Sequence, residues 1–312
     1  MATFSAALFL LVFALIRGNS EGWGSPLIVG FLAGSAALLV AFLAVERAQE
    51  RPMLDLTLFR KPTFGGAAIT AFALSASMFS LFLYIALYMQ NVLGYSPLET
   101  GIRFLPVTVV SFFAAAASGR LSARLPARGL LGGGLALVGT GILLMRGVEP
   151  GSDWTELLAG FAVAGLGIGV VNPPLASTAI GVVAPARSGM ASGINSTFRQ
   201  VGIATGIAGL GALFQARVQE FIVAGLQGTP GAANADVLAE TAASGGAAQA
   251  VEQAPPEARA ELAQVLSDAF VIGLDDLFLV GAVVAFTGAL LAFVLVRRRD
   301  FVVAPDAAPA PA

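Results

Sequence analysis

The 312-residue sequence contains no cysteine and no histidine, and only 12% of its residues are charged. Without cysteine, the chain has no disulfides, thiol nucleophiles or cysteine metal sites. Without histidine, it lacks the commonest general base and metal ligand. The net charge is only −2, which gives no indication of a nucleic-acid partner. We therefore expect a protein that is not an enzyme and that holds no metal and no cofactor.

Apolar residues are abundant instead, at 57% of the chain, and the mean hydropathy is +0.84. Because about 20 apolar residues span a bilayer core, the sequence predicts an all-α polytopic membrane protein with about eight transmembrane helices. The predicted spans are residues 2–16, 24–45, 64–90, 101–119, 129–145, 157–176, 189–214 and 273–296.

The first predicted span is short and starts next to the initiator methionine. It is either a helix whose beginning has been lost or a signal sequence. A signal sequence has a basic n-region and a small-residue cleavage site, whereas residues 1–4 carry no basic residue and Arg17-Gly18-Asn19 is a poor cleavage site. These features favour a truncated transmembrane helix.

Basic residues indicate the orientation in the membrane, since they accumulate in cytoplasmic loops. If the C-terminus is cytoplasmic, eleven basic residues lie inside and five outside. We therefore expect both termini in the cytoplasm of a cell (inner) membrane protein, with a cytoplasmic loop at 46–63. The connection 215–272 is then external and partly disordered, and the tail 297–312 is predicted to be disordered.

Polar residues of the third predicted span share one face. At 100° per residue, an arc about 80° wide contains Thr70, Ser77, Ser80, Tyr84, Tyr88 and Asn91. Such an arc is either a cavity wall or a surface of interhelical hydrogen bonds. The two tyrosines favour the cavity, because aromatic rings suit amphipathic cargo.

The span 189–214 carries Arg199 about 15 Å from its start, near the middle of a bilayer core about 30 Å thick. A charge there costs roughly 2.5–3.5 kcal/mol. Arg199 either extends towards the cytoplasm or faces inward as a cation of the cavity. Its helix face also carries Ser192, Asn195 and Ser196. No acid lies deep in a predicted span, so a carboxylate partner would have to come from outside this chain.

Glycines and prolines mark two further features. The pairs Gly189/Gly193 and Gly202/Gly206 have the spacing of close helix packing. Asn172-Pro173-Pro174 interrupts the hydrogen bonds of its helix and predicts either a gating hinge or a fixed kink.

The candidate substrate-path residues are Thr70, Ser77, Tyr84, Tyr88, Asn91, Asn172, Ser192, Asn195, Ser196 and Arg199.

Three stretches resemble one family. YSPLETG (95–101) and NSTFRQVG (195–202) are similar to segments of major facilitator drug:proton antiporters of the fourteen-helix, multidrug-exporter branch. GRLSARLPAR (119–128) looks like a degraded copy of the superfamily's loop motif. Gly119, Leu121, Arg124 and Arg128 match residue types of that motif, whereas Ala123 replaces its aspartate.

The resemblance covers only the C-terminal portion of such a transporter. It implies that residues 1–45 form two linker helices and that 64–296 form a six-helix domain with an inverted three-plus-three repeat. It also implies gating roles for Gly119, Leu121, Arg124 and Arg128, whereas the possible gating role of Pro173 and Pro174 follows from the interrupted helix alone.

The function implied is proton-coupled export of small amphipathic compounds or drugs by alternating access. A proton gradient would supply the energy, and the partners would be the lipid bilayer and a missing N-terminal half or a second copy. The alternative is a non-transporting membrane partner or regulatory protein derived from such a transporter.

Overall fold

The computed structural model describes residues 2–49, 55–227, 234–243 and 245–302, and the regular structure of these residues is helical. The α-helices are α1 (Ala2–Glu21), α2 (Pro26–Ala48), α3 (Pro62–Asn91), α4 (Pro97–Leu121), α5 (Ala127–Leu143), α6 (Leu158–Gly181), α7 (Ser188–Gly225), α8 (Ala235–Ala243), α9 (Ala247–Gln253) and α10 (Arg259–Leu295). Short 3₁₀ helices lie at Leu56–Arg60, Trp154–Leu157, Pro185–Arg187 and Arg298–Asp300.

The predicted all-α polytopic fold is confirmed. In the described part of the chain, seven helices are long and apolar enough to cross a membrane. The eighth predicted span is α5, which has 17 residues and a length of about 25 Å.

The helices α7 and α10 are longer than the sequence indicated. The predicted connection 215–272 is helical up to Gly225, again from Arg259, and in α8 and α9. The predicted span ends before Arg217 because a charged residue interrupts the apolar run. In the structure the helix continues, and Arg217 Nε lies 2.8 Å from an oxygen of Asp276 in α10. Of the predicted disordered segments, residues 228–233, 244 and 303–312 lie outside the described residues. The start of the tail, 297–302, is folded back on the domain.

Helix α3 lies at the centre of a bundle formed by α3–α7 and α10. In its most apolar 18-residue window 72% of the residues are buried, against 17% for α1 and for α2. Helix α6 packs between α4 and α5, while α10 packs against α3, α5 and α7. The α1–α2 hairpin lies outside this bundle and contacts it mainly through α7.

Three alternate glycines explain the tight packing of α6. A Cβ atom on Gly165 would lie 2.6 Å from the Val107 carbonyl oxygen of α4, and one on Gly167 would lie 2.5 Å from the Gly134 carbonyl oxygen of α5. Gly169 faces α4 again. Both neighbours therefore approach the backbone of α6, the usual solution where packing rather than a hydrophobic driving force joins helices.

The YSPLETG stretch is the N-terminus of α4. Ser96 Oγ accepts a hydrogen bond from the Glu99 N–H, and Glu99 Oε2 accepts one from the Ser96 N–H at 2.8 Å. This capping box, with Pro97 in the first turn, fixes where the helix begins. Arg103 stacks over the ring of Tyr95, with 3.5 Å between the guanidinium carbon and the ring centroid.

Candidate functional site

A cavity of about 590 Å³ lies between the α1–α2 hairpin and the bundle. This volume falls within the range of about 300–1,000 Å³ typical of small-molecule sites. We call it the hairpin cavity. It is lined by Phe4, Leu8, Leu11, Leu39, Phe42, Leu43, Leu56, Phe59, Phe72, Met190, Gly193, Ile194, Thr197, Phe198 and Val201.

The lining of the hairpin cavity is almost entirely apolar and rich in phenylalanine. Among the described residues that line it, Thr197 has the one hydroxyl group and none has a charged side chain. Phe4 and Phe42 pack with ring centroids 4.9 Å apart, and Phe59 lies 6.1 Å from Phe198. Such a lining suits an apolar or aromatic molecule and offers a polar group few partners.

A second cavity of about 570 Å³ lies along α1 and α7. It shares Leu8, Thr197 and Val201 with the hairpin cavity, so the two adjoin. Ser196 and Gln200 add polar groups to its lining. Together the cavities present an apolar volume with a polar margin.

Arg199 lines neither the hairpin cavity nor the second cavity. At 100° per residue, the residues of α7 that line the hairpin cavity lie roughly opposite Arg199. Its guanidinium Nη2 donates a hydrogen bond of 3.1 Å to Asn172 Oδ1 of α6, and Asn172 Nδ2 donates to the Ile168 carbonyl oxygen at 3.0 Å. The structure thus brings together two residues that the sequence placed on the substrate path separately. The partner of the half-buried arginine is a neutral amide.

The other residues of the polar face of α7 are spread around Arg199. Ser192 and Ser196 are exposed, and Ser196 lines the second cavity. Asn195 is half-buried, and among the described residues its Oδ1 has no hydrogen-bond partner. This face is therefore only partly covered by the bundle.

The polar arc of α3 faces the bundle. Thr70 and Ser77 are fully buried and donate to carbonyl oxygens of their own helix. Ser80 donates to the Ile203 carbonyl oxygen of α7 at 3.2 Å, and Tyr84 donates to that of Ile207 at 3.2 Å. These bonds are the interhelical contacts that the sequence left open as the alternative to a cavity wall.

The two glycines in the middle of α7 lie against the same part of α3. A Cβ atom on Gly202 would come within 2.6 Å of the Phe72 carbonyl oxygen, and Gly206 faces Ala76 and Ser80. Here α3 forms a π-helical turn at Ser75–Phe79, a local widening that often marks functional sites. By contrast, Gly189 and Gly193 have open space around their Cα atoms.

The C-terminal end of the arc, at Asn91, borders a third cavity of about 500 Å³, whose other polar lining residues are Gln264 and Ser267. Tyr88 is fully buried. Among the described residues, its hydroxyl and the Asn91 Nδ2 have no hydrogen-bond partner.

The helix α6 continues through Pro173 and Pro174. Because Pro174 has no N–H, the Val170 carbonyl oxygen loses its usual partner within the helix. Ser118 of α4 takes this place, donating from its hydroxyl at 2.8 Å. A hinge at this position would have to break that bond.

The four proposed gating residues of the motif copy lie where α4 ends and α5 begins: Gly119 and Leu121 in the last turn of α4, Arg124 in the loop and Arg128 in the first turn of α5. Leu121 is 40% exposed, and Gly119 has open space around it. Arg124 and Arg128 line two different pockets, each of which also includes Arg298.

Sequence reasoning missed two polar residues of the hairpin. Asn19 Nδ2 donates to the Ala208 carbonyl oxygen of α7 at 3.2 Å, and Glu46 is only 5% exposed. Both lie beyond the predicted ends of their spans, at Ile16 and Val45, whereas the helices continue to Glu21 and Ala48. Helical spacing extended past the apolar run would have placed Glu46 on the side of Phe42 and Leu43.

Curated relatives include a probable transporter and an export protein from two Streptomyces species. The chain is 34% identical over 223 residues to the "Probable actinorhodin transporter" of Streptomyces coelicolor, covering 69% of this chain and 38% of that protein. It is 29% identical over 313 residues to the "Tetracenomycin C resistance and export protein" of Streptomyces glaucescens, covering 99% of this chain and 58% of that protein. The chain therefore spans roughly half the length of these relatives.

Among solved structures, the fold is similar to that of a bacterial homolog of the human lysosomal transporter Spinster, crystallised in an inward-facing and occupied conformation. The TM-score is 0.57 at 17% identity, and the match covers 93% of this chain and 64% of the other. A family model described as "Major Facilitator Superfamily" matches residues 1–207. The chain therefore belongs to the Major Facilitator Superfamily.

Proposed function

We propose that this chain is the C-terminal part of a secondary active transporter that exports small amphipathic compounds by alternating access. In this proposal residues 1–45 are linker helices, 46–63 and the tail are cytoplasmic, and 64–296 form the transporter domain with 215–272 outside. Both termini lie in the cytoplasm. The names of the relatives, which refer to actinorhodin and tetracenomycin C, support export of a drug-like compound.

The observation that carries the proposal is the hairpin cavity. Its volume, its phenylalanine-rich lining and the adjoining polar margin at Ser196 and Gln200 fit an amphipathic molecule with a large apolar part. The polar substrate-path residues Asn195 and Arg199 lie on the opposite side of α7, where Arg199 is bonded to Asn172 of α6. They would face cargo only if a further half completed the path on that side.

The distribution of acids supports the need for such a half. Proton-coupled transport generally uses a carboxylate within the membrane. The acids within the predicted spans, Asp275 and Asp276, lie near the start of 273–296 and form ion pairs with Arg146 and Arg217. Glu46 lies in the last turn of α2, beyond the predicted span 24–45, so none of the described acids lies deep within a predicted span. We place the coupling carboxylate in a missing N-terminal half or a second copy.

The proposal is tested with the purified full chain and ethidium as the probe. We expect the chain to bind ethidium, and Phe198→Ala to weaken binding about tenfold, because truncating a half-buried phenylalanine that lines the cavity removes roughly 1.4 kcal/mol of apolar contact with the ligand. The matched control is Phe112→Ala, since Phe112 is 70% exposed and lies outside the cavity. If both variants bind ethidium equally well, the hairpin cavity is not the binding site.

The second arm measures ethidium transport in proteoliposomes under a proton gradient. We expect none from the chain alone. Transport by the chain alone would contradict the assignment of the coupling carboxylate to another half. No ethidium binding by the wild-type chain would favour the alternative, a non-transporting membrane partner.

A further inference from the structure

A pocket of about 770 Å³ lies between the start of α5 and the end of α10. We call it the basic pocket. Four arginines and four apolar residues line it, and none of the described lining residues is an acid. The lining residues are Pro126, Arg128, Phe293, Val294, Val296, Arg297, Arg298 and Arg299.

The backbone that carries the three consecutive arginines is fixed in place. Thr63 Oγ1 accepts a hydrogen bond from the Arg297 N–H at 2.7 Å, and the Val302 N–H donates to the Gly181 carbonyl oxygen at 2.9 Å. The chain between these anchors folds into the 3₁₀ turn Arg298–Asp300. The arginines therefore project from an ordered turn.

The one acid in this turn, Asp300, already accepts hydrogen bonds from Thr63. Asp300 Oδ2 accepts hydrogen bonds from Thr63 Oγ1 at 2.7 Å and from the Thr63 N–H at 3.1 Å. Burial opposes ionisation of Asp300, but the bonds from Thr63 and the charges of Arg299 and Arg297 hold its pKa below its usual value. The acid is thus ionised and directed to Thr63, which leaves a net positive pocket.

The position of the basic pocket matches the edge of a bilayer. With a length of about 25 Å, α5 is slightly shorter than a bilayer core of about 30 Å, so Arg128 in its first turn lies at the edge of that core. Phe293 and Val294, in the last turn of α10, are 44% and 55% exposed. The pocket therefore offers arginines at headgroup depth and an apolar surface at acyl-chain depth.

The N-terminus of α5 adds a further feature that favours an anion. Its N-cap residue is Pro126, and no side chain caps the first turn. Free N–H groups and the helix dipole attract negative charge at such an end. Pro126 itself lines the pocket, so this end of the helix meets the arginine cluster.

We propose that the basic pocket binds the phosphate headgroup of an anionic phospholipid. The arginines bind the phosphate oxygens through charge-assisted hydrogen bonds, while an acyl chain lies along Phe293 and Val294. Basic pockets between transmembrane helices bind such headgroups by the same chemistry. The bound lipid would join α5 to α10 at this edge of the bundle.

Native mass spectrometry of the full chain, titrated with phosphatidylglycerol or phosphatidylcholine, tests this assignment. We expect one phosphatidylglycerol molecule to bind well before phosphatidylcholine does. The double variant Arg128→Gln/Arg297→Gln should weaken its binding roughly 25-fold, at about fivefold per basic residue. Arg128→Lys/Arg297→Lys, which keeps the charge, should retain most of the binding.

The matched control is Arg60→Gln/Arg120→Gln, which removes two exposed arginines outside the pocket. An equal loss of binding in this control would show general surface attraction and overturn the site. Displacement of the lipid by millimolar inorganic phosphate would assign the pocket to a soluble anion instead. A single symmetric elution peak for each variant establishes that it is folded, and unchanged binding in a folded double glutamine variant would also overturn the proposal.

Discussion

The bundle and the α1–α2 hairpin are packed by different means. In the bundle, glycines bring backbones together, as where Gly167 meets the Gly134 carbonyl oxygen. The hairpin is held internally by a hydrogen bond of 2.8 Å from Ser35 to the Ala7 carbonyl oxygen. It meets the bundle through phenylalanine and leucine side chains that leave the hairpin cavity of about 590 Å³ between them.

This difference indicates where the molecule can move at low cost. Between helices in lipid, association depends on van der Waals fit and on interhelical hydrogen bonds. Backbone contacts at glycines are lost completely if the helices shift, whereas side chains bordering a cavity can adapt. We therefore expect the bundle to move as a unit and the hairpin to move against it.

The largest expected effect comes from filling the close contact between α7 and α3. Gly206→Val should destabilise the bundle by about 3 kcal/mol, because the added methyl groups would overlap Ala76 and Ser80. Gly193→Val is the matched control in the same helix, with open space around it. Thermal unfolding in detergent measures both. Equal melting temperatures would mean that the bundle is packed as loosely as the hairpin interface.

The next effect concerns the arginine of the bundle. Asn172→Leu should cost about 2 kcal/mol, since it leaves the half-buried Arg199 guanidinium without the amide that accepts its hydrogen bond. A double-mutant cycle with Arg199→Ala should give a coupling of about 1.5 kcal/mol; purely additive effects would contradict the pairing. In a full-length transporter we expect Arg199→Ala to impair export more than expression. Normal export with poor expression would instead show that Arg199 is needed for folding.

A smaller effect tests the fixed proline segment of α6. Ser118→Ala should cost about 1.5 kcal/mol, because the Val170 carbonyl oxygen then has no donor. Ser122→Ala removes a bond only to its own helix, from Ser122 Oγ to the Ser118 carbonyl oxygen, and should cost about 0.5 kcal/mol. Urea or thermal unfolding of the two variants gives the comparison. If Ser118→Ala is neutral, the prolines act as a hinge that the bundle does not fix.

Loosening the hairpin should change its position more than the stability of the chain. Asn19→Leu removes the bond to the Ala208 carbonyl oxygen, worth about 1 kcal/mol. The chain has no cysteine, so spin labels can be attached at Val40→Cys in α2 and Val283→Cys in α10 alone. The distance between these two labels reports the position of the hairpin relative to the bundle. We expect a broader distance distribution with a melting temperature lowered by no more than about 2–4 °C. The control pair Phe112→Cys and Leu290→Cys, both in the bundle, should show no broadening.

The smallest effect concerns the ion pair between Asp55 and Arg187, which joins the 3₁₀ helix under the hairpin cavity to the start of α7. A hydrogen bond from the Thr57 side chain, the Thr57 N–H and the charge of Arg187 hold the pKa of Asp55 below its usual value, although burial opposes this. The stabilisation is therefore present above the unfolded pKa and is lost as the pH falls through the folded pKa. We expect about 0.5 kcal/mol, visible as a loss of melting temperature in acid that Asp55→Asn reduces. An identical pH profile in Asp55→Asn would exclude the pair.

The sequence predicted the spans well and their ends poorly. Apolar runs located every membrane-crossing helix, because hydrocarbon solvates only chain that is both apolar and internally hydrogen-bonded. The end of α7 was missed because Arg217 interrupts the apolar run, although it pairs with Asp276 of α10. The start of α10 was missed because Glu261 and Asp268 make that part of the helix less apolar. Pairing across two helices leaves no trace in the local hydropathy.

The candidate site was also predicted only in part. The sequence placed polar groups of α3 and glycines of α7 on single faces, and the structure brings those two faces together at Ser80 and Gly206. It did not indicate that the open volume lies on the other face of α7, at Thr197 and Val201. In lipid, polar and apolar faces do not by themselves separate buried from exposed surfaces, so periodicity identified a face without saying what covers it.

What the sequence determined by itself is the class of molecule: a membrane-spanning helical protein with an arginine inside a span. Composition and run length suffice for this, because the bilayer acts on each helix separately. Only the tertiary structure decided what that arginine binds. Arg199 meets Asn172, 27 residues away on another helix, because α6 and α7 pack against each other and both pack against α3. A contact that depends on three helices packing together cannot be derived from any one of them.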